Sequence, residues 1–167
     1  MTSYSNYANK CNNNPIETYG DFAIVKVTSG DTPTANVKIS SNSSYYANGT
    51  YSTVPEGTYV YKYGAKTKYS YGLVGQTGCV YTYETSDLGV SPLKCRGLTQ
   101  VTMVSGDVAN NYIDGGDSGG CVFLKVNGSY KISGLVTARP KSGSTAHTVM
   151  YYTPIGYATE IGFKIAS

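Results

Sequence analysis

The stretch from Gly115 to Cys121 reads GGDSGGC and sets a single serine, Ser118, among glycines. Acyl transfer by a serine needs its hydroxyl displayed on a turn whose backbone N–H groups also point at the developing oxyanion, and so crowded a turn favours glycine. A flexible polar loop is the simpler interpretation, but an apolar run at 122–124 follows directly and would pin the loop to a core. The pattern therefore predicts Ser118 as a nucleophile, with the N–H groups of Gly116 and Ser118 as the oxyanion hole.

The other ionisable side chains indicate no metal site. The chain has one histidine and four cysteines, and none of them forms a C-x-x-C or H-x-x-x-H ligand pair, so neither a metal nor a cofactor is predicted. Asp114 and Asp117 resemble a carboxylate pair for glycoside cleavage, but both belong to the glycine loop. We expect Asp117 instead to hold that loop by an ion pair or a hydrogen bond.

Cysteines and glycosylation sequons favour a secreted, disulfide-containing protein. Four cysteines allow three pairings if all are oxidised, and the pairing of Cys79 with Cys95 is favoured because it closes a local loop. Asn-x-Ser/Thr triplets begin at Asn42, Asn48 and Asn127. The first ten residues lack the hydrophobic region of a signal peptide, so the prediction of secretion rests on the cysteines and the sequons.

Length and charge restrict the partners. A chain of 167 residues with 40% hydrophobic content can bury a core as one domain or two very small ones. The net charge is +3, and the lysines and arginines are scattered singly, which argues against a nucleic acid partner. No apolar run reaches the roughly 18 residues of a membrane helix, so no membrane partner is predicted.

Composition and patterning predict an all-β fold. Eighteen tyrosines and twenty glycines suit strands joined by turns. Asn48-Gly49 and Asn127-Gly128 are hairpin signals, and Thr153-Pro154 predicts a closing helix that runs to Ile161. The predicted strands are short and regularly spaced, as in a barrel or sandwich. They cover 22–28, 37–39, 58–63, 69–74, 79–84, 98–104, 121–126, 130–132, 134–138 and 148–152.

The motif GDSGG at 116–120 resembles the nucleophile motif of trypsin- and chymotrypsin-like serine proteases, and the chain is most similar to the streptogrisin and α-lytic branch. This resemblance implies a chymotrypsin-like antiparallel β-barrel: a complete second barrel at 58–167 with a short C-terminal helix, preceded at 1–57 by a remnant of the first barrel and a linker. Where the relatives carry a cysteine pair, this chain has Tyr61 and Tyr71, and we expect their rings to pack together.

The same resemblance assigns further site residues. Asp21, which precedes an apolar run, resembles the aspartate that orients the catalytic histidine, although an Asp before a strand is also a common turn residue. The segment at 133–138 resembles the strand beside the specificity pocket, which makes Thr137, Ala138 and Arg139 candidates for binding a substrate backbone.

The catalytic histidine of the family has no counterpart before Asp21. The only histidine, His147, follows Ser118, and by the resemblance it lies in a loop near the specificity pocket. Triads do occur in other chain orders, so His147 is an alternative base, but a role in binding an acidic substrate side chain together with Arg139 is favoured over it. Simple solvent exposure is the third alternative.

These observations predict a secreted serine endopeptidase-like protein that acts on polypeptides. Its histidine would come from an N-terminal segment that is not among these residues. The first alternative is a noncatalytic protease homologue that serves as a secreted binding domain. A second alternative is a sugar-binding β-domain, which would cluster its exposed aromatic side chains on one face.

Overall fold

The computed structural model describes residues 17–22, 34–40, 42–83 and 93–164. The elements in these ranges are mostly strands. They are β1 (Glu17–Tyr19), β2 (Asn36–Lys38), β3 (Ser44–Thr50), β4 (Tyr59–Gly64), β5 (Lys68–Tyr83), β6 (Leu93–Gly106), β7 (Cys121–Val126), β8 (Ser129–Ala138), β9 (Val149–Pro154) and α1 (Gly156–Glu160).

Six strands close into a barrel. The antiparallel pairs run in a ring from β4 to β5, β6, β9, β8, β7 and back to β4. Inward side chains alternate with outward ones, as the pattern of β4 shows, because successive residues of a strand point to opposite faces. The interior is filled by apolar side chains. They include Val60, Val74, Val101, Met103, Val122, Leu124, Val136, Met150 and Tyr152. The predicted all-β barrel with a short C-terminal helix is confirmed.

Three short strands lie outside the ring. β1 pairs in parallel with β6, β3 pairs in parallel with β8, and β2 pairs with β3. The hairpin predicted at Asn48-Gly49 is wrong, because both residues lie inside β3, where Gly49 has φ +90° and the register shifts between Ala47 and Thr50. The turn-forming glycine thus makes a bulge, a second ordinary use of glycine in sheets.

Several predicted boundaries differ from the structure. The segments predicted as two strands at 69–74 and 79–84 form the single strand β5, which bends through several register shifts against β6. The helix begins later than predicted, because Pro154 ends β9 and Ile155 is the N-cap residue. The strand predicted over 22–28 lies mostly outside the described residues.

Two local predictions are confirmed. Val126 pairs with Ser129 across a turn in which Asn127 and Gly128 both have positive φ, as a two-residue primed hairpin requires. Tyr61 faces Tyr71 across the β4–β5 pair, with ring centroids 5.9 Å apart.

The cysteines that the structure describes, Cys79, Cys95 and Cys121, are free thiols, so the favoured bridge between Cys79 and Cys95 is not formed. The two lie on paired strands, where Cys79 faces Leu98 and Cys95 faces Tyr81. They are therefore offset along the paired strands and do not face each other. Burial raises the pKa of the Cys95 thiol to about 12. In the part of the chain that the structure describes, no helix has the length and apolar character needed to cross a bilayer.

Candidate active site

Ser118 lies on the loop that leads into β7, and its side chain is exposed. The loop is fastened to β8 by two backbone hydrogen bonds: Gly119 donates to the Val136 carbonyl (2.8 Å) and Val136 donates to the Gly120 carbonyl (2.9 Å). A Cβ on Gly120 would lie 2.8 Å from the carbonyl oxygens of both Asp117 and Tyr63. Only glycine therefore allows this close approach of the loop to β4.

The backbone N–H groups of the loop fall into two classes. Those of Gly115, Asp117, Gly119 and Gly120 donate to protein acceptors. Among the described residues, those of Gly116 and Ser118 donate to none. Gly116 has φ +100°, a backbone conformation that residues with a side chain rarely adopt. The two N–H groups predicted to bind an oxyanion are thus the two at 115–120 that have no acceptor among the described residues.

Asp117, the residue before Ser118, anchors the loop inside the barrel. Its side chain is fully buried, and its carboxylate accepts hydrogen bonds from the backbone N–H groups of Lys66 (2.8 Å), Thr67 (2.9 Å) and Asp114 (3.0 Å). The Thr67 hydroxyl (2.5 Å) and the Lys62 ammonium (3.0 Å) donate to Oδ2, which also accepts from the Asp114 N–H, whereas the Lys66 and Thr67 N–H groups donate to Oδ1. The expected role of Asp117 as a loop anchor is thus carried by one ion pair and four further hydrogen bonds.

The electrostatics of this anchor follow from burial and from these donors. Burial alone would raise the pKa of Asp117, but the hydrogen bonds from Thr67, Lys62 and Asp114 outweigh it and lower the pKa below its usual value. Burial lowers the pKa of Lys62, against the opposing attraction of Asp117. Gly64 makes room for the carboxylate, because a Cβ at that position would lie 2.2 Å from Asp117 Oδ1.

Asp21 lies on the same side of the barrel as Ser118. Its backbone N–H donates to Thr153 Oγ1 (2.8 Å), and Thr153 Oγ1 lies 2.7 Å from Thr137 Oγ1. The preceding Gly20 has φ +69°, and a Cβ there would lie 2.9 Å from Thr153 Cγ2, so glycine is needed for this approach. The Ser118 hydroxyl donates to the Thr137 carbonyl at 3.5 Å. Thr137 therefore connects the surroundings of Asp21 with those of Ser118.

The three residues predicted to bind a substrate backbone lie at the end of β8. Thr137 and Ala138 are both buried residues. Ala138 pairs with Tyr151 on β9, on one side of β8. Arg139 follows directly after β8.

Arg139 and His147 surround Asp114. The Arg139 guanidinium forms an ion pair with Asp114 (2.9 Å) and also donates to the Ala146 carbonyl (3.2 Å). A hydrogen bond from Asn111 is the main cause that lowers the pKa of Asp114, and Arg139 and His147 lower it further. The charge of Arg139 is thus already compensated by Asp114, which weakens the expectation that it attracts an acidic substrate.

His147 makes no contact with Ser118 within the described ranges. Its side chain is exposed, and Nδ1 lies 3.4 Å from the Ile113 carbonyl oxygen. Within the described ranges it makes no hydrogen bond to Ser118 or Asp21. The structure thus brings Ser118, Asp21 and Thr137 together and leaves His147 apart from them.

The sequence analysis did not identify two residues of this site, Lys62 and Tyr83. Lys62 was not assigned to Asp117, although its inward position between Val60 and Gly64 in the alternating strand β4 was a usable signal. Tyr83 was not assigned at all, yet its hydroxyl lies 3.3 Å from Asp21 Oδ2 and 3.4 Å from the Thr137 carbonyl oxygen. No sequence pattern brings the end of β5 to Asp21, because that contact depends on the closure of the barrel.

The barrel is similar to solved bacterial proteases. Cellulomonas bogoriensis chymotrypsin has 18% identity and a TM-score of 0.63, over 85% of this chain and 66% of that chain. Thermobifida fusca protease A has 21% identity and a TM-score of 0.62, over 84% and 66%. A glutamic acid specific serine protease that uses a histidine triad in substrate binding has 20% identity and a TM-score of 0.62, over 83% and 64%. At these identities the likeness concerns the fold.

The chain spans about two thirds of the length of these structures. A comparison with curated proteins gave no match. The sequence model of the family described as Trypsin matches residues 2–161, which is nearly the whole chain. Together with the barrel and the GDSGG loop, this match shows that the chain belongs to the trypsin family.

Proposed function

We propose that this chain is the nucleophile-bearing part of a secreted serine endopeptidase. Ser118 is the nucleophile, the N–H groups of Gly116 and Ser118 form the oxyanion hole, and Asp21 orients a histidine that a further polypeptide segment supplies. The substrate is a polypeptide, and the reaction uses no cofactor. The observation that carries the proposal is that, at 115–120, only the N–H groups of Gly116 and Ser118 lack an acceptor among the described residues, and that Ser118 is exposed.

The chemistry follows from this arrangement. The Ser118 oxygen attacks the carbonyl carbon of the scissile peptide bond while the histidine takes the hydroxyl proton, and the carbonyl oxygen becomes an oxyanion between the two N–H groups. The C–N bond then breaks, and the histidine returns the proton to the leaving amine. Water hydrolyses the resulting ester by the same steps and regenerates Ser118. Each free N–H group is worth about a hundred- to a thousandfold in rate in such sites.

The substrate backbone is proposed to lie along the end of β8 and to bond to the main chain of Thr137 and Arg139. The pocket for the substrate side chain lies near Arg139, Asp114 and His147. Because Asp114 compensates Arg139, we propose that this pocket favours an uncharged side chain. The glutamic acid specific relative uses a histidine triad, whereas this chain contains one histidine.

A noncatalytic binding domain is the second candidate. It is favoured by one observation: the described residues place no histidine near Ser118 and Asp21, and a tyrosine hydroxyl lies beside Asp21 instead. A serine triad without its histidine loses about a millionfold in turnover. Such a protein would retain the peptide-binding edge of β8 without cleaving the bound peptide.

Cleavage of an activated ester in the presence of free imidazole distinguishes these candidates. Imidazole supplies the missing base from solution, so the proposal predicts that wild-type protein hydrolyses p-nitrophenyl acetate faster than Ser118→Ala, by a margin that grows with imidazole concentration. Gly115→Ala is the matched control, because a Cβ there meets nothing within 4 Å. Equal rates for wild type and Ser118→Ala at every imidazole concentration would favour the binding domain.

A further inference from the structure

Two tyrosines at the end of β5 lie against the end of β8. Tyr81 and Tyr83 are two residues apart on one strand, so their side chains share a face, and their rings meet edge to face with centroids 5.1 Å apart. The Tyr81 hydroxyl donates to the Arg139 carbonyl at 2.6 Å. The Tyr83 hydroxyl lies 3.4 Å from the Thr137 carbonyl oxygen.

The acceptors of these hydroxyls are the ones an added peptide strand would use. Thr137 and Arg139 are also two residues apart, and their carbonyl oxygens both lie near tyrosine hydroxyls of β5, so the two carbonyls face the same side. A peptide that adds to a strand edge binds mainly through such main-chain acceptors. The two tyrosine hydroxyls therefore occupy positions that the N–H groups of a bound peptide would take.

The Tyr83 hydroxyl also lies beside the carboxylate of Asp21 and beside the carbonyl that accepts from Ser118. It is 3.3 Å from Asp21 Oδ2, while the Ser118 hydroxyl donates to the same Thr137 carbonyl that Tyr83 approaches. A base that links Asp21 to Ser118 must pass through this space. The Tyr83 hydroxyl therefore occupies space that such a histidine needs, as well as a carbonyl that a peptide needs.

Tyr83 cannot itself replace the histidine. Burial raises the pKa of its hydroxyl well above the ordinary value, and the negative charge of Asp21 raises it further. The hydroxyl thus keeps its proton at neutral pH and acts as a hydrogen-bond donor. A group that holds its proton so firmly does not accept one from Ser118.

We propose that Tyr81 and Tyr83 form an intramolecular plug, which fills the peptide-binding edge of β8 and the space between Asp21 and Ser118 until a peptide and a histidine displace it. This inference rests on the proposed function. The plug is a competitor, so removing its hydroxyl groups strengthens peptide binding and removing the Tyr83 ring admits a base.

Peptide affinity tests the plug without any catalytic step. The probe is N-acetyl tetra-alanine amide, titrated into wild type, Tyr81→Phe, Tyr83→Phe and the double variant, with the carbonyl ¹³C shifts of residues 137 and 139 as the readout. Each lost hydroxyl frees one acceptor, so we expect about fivefold tighter binding per substitution and about 25-fold for both. Thermal unfolding of each variant verifies that it is folded.

Tyr59→Phe is the matched control, because Tyr59 is 48% exposed on β4 and its ring packs against Tyr71, away from β8. Its peptide affinity should equal that of the wild type. The inference is overturned if the double variant binds the probe no more tightly than the wild type, or if the probe shifts carbonyls elsewhere and leaves residues 137 and 139 unchanged.

Ester cleavage with Tyr83→Ala separates this inference from the proposed function. If both are right, imidazole accelerates Ser118-dependent cleavage more in Tyr83→Ala than in wild type. If the plug is wrong, the two proteins respond equally to imidazole. If the proposed function is wrong, no variant shows Ser118-dependent cleavage, while the tyrosine variants still bind the peptide more tightly.

Discussion

The ammonium group of Lys62 lies 3.0 Å from the carboxylate of Asp117, and both side chains are fully buried in the barrel. A buried charge is tolerated only when partners replace its hydration, and Asp117 has such partners on both of its oxygens. Asp117 directly precedes Ser118, so the ion pair holds the loop that carries Ser118. The position of the loop is therefore set from inside the barrel.

Removing Lys62 should destabilise the fold strongly. Lys62→Met leaves Asp117 charged and buried without its cation, and we expect the free energy of unfolding to fall by about 3–5 kcal/mol. Urea unfolding measures this change. Lys66→Met is the matched control, since Lys66 contacts Asp117 through its backbone N–H and has an exposed side chain. Equal effects of the two substitutions would show that the ion pair is not an anchor.

Acid should destabilise the protein through the same carboxylate. The pKa of Asp117 is lower in the folded state than in the unfolded chain, where it is about 3.9. The unfolded state therefore binds the proton more readily, and the stability from Asp117 is complete above about pH 5 and is lost as pH falls through the folded pKa.

Urea midpoints measured from about pH 7 down to about pH 2 measure this loss. In Asp117→Asn the urea midpoint should fall less between neutral and acid pH than it does in wild type. In Asp107→Asn, a change at an exposed position, the midpoint should fall as much as in wild type. If the midpoint of Asp117→Asn falls as much at acid pH as that of wild type, the loss of stability does not come from Asp117.

Filling the space at Gly64 should expel the carboxylate. A Cβ there would lie 2.2 Å from Asp117 Oδ1, so we expect Gly64→Ala to cost about 1–3 kcal/mol in the free energy of unfolding and to displace the loop. Gly115→Ala in the same loop meets nothing within 4 Å and should change stability by less than about 0.5 kcal/mol. Chemical denaturation of both variants tests the contrast, and a stable Gly64→Ala would mean that the packing of Asp117 is looser than described.

Neutralising Asp114 should change the substrate preference. Asp114→Asn leaves the charge of Arg139 uncompensated, so affinity for a peptide with glutamate should rise severalfold relative to the same peptide with glutamine. The affinities of wild type for the two peptides should differ by less than about twofold when they are measured by titration at low salt. If Asp114→Asn and wild type show the same ratio, the pocket does not lie beside Arg139.

Much of the fold could be predicted where the signal is local. The Asn127-Gly128 turn needed only two residues with positive φ between two strands, and the structure has both. The same Asn-Gly dipeptide at Asn48-Gly49 led to a wrong hairpin prediction, because the parallel pairing of β3 with β8 overrides the local turn preference. A pairing between residues about 80 positions apart cannot be predicted from a short window of sequence.

The site could be predicted only in part for the same reason. The GDSGG motif predicted that Asp117 holds the loop, but not which residues hold Asp117, because Lys62, Lys66 and Thr67 lie far from it in the chain. Lys62 could have been identified from its inward position on β4, where a charge requires a partner. The contact of Tyr83 with Asp21 and Thr137 could not, because it arises only when β5 bends across the barrel end.

The most direct test of the account is whether Ser118 becomes reactive when a base is supplied. The protein is incubated with a fluorophosphonate probe over a series of imidazole concentrations, and the adduct is located by peptide mass spectrometry. The proposed function predicts an adduct on Ser118 that forms faster with more imidazole, forms more slowly in Asp21→Asn, and is absent in Ser118→Ala. An adduct that is spread over other serines, or no imidazole-dependent adduct on Ser118 in either wild type or Tyr83→Ala, would contradict it.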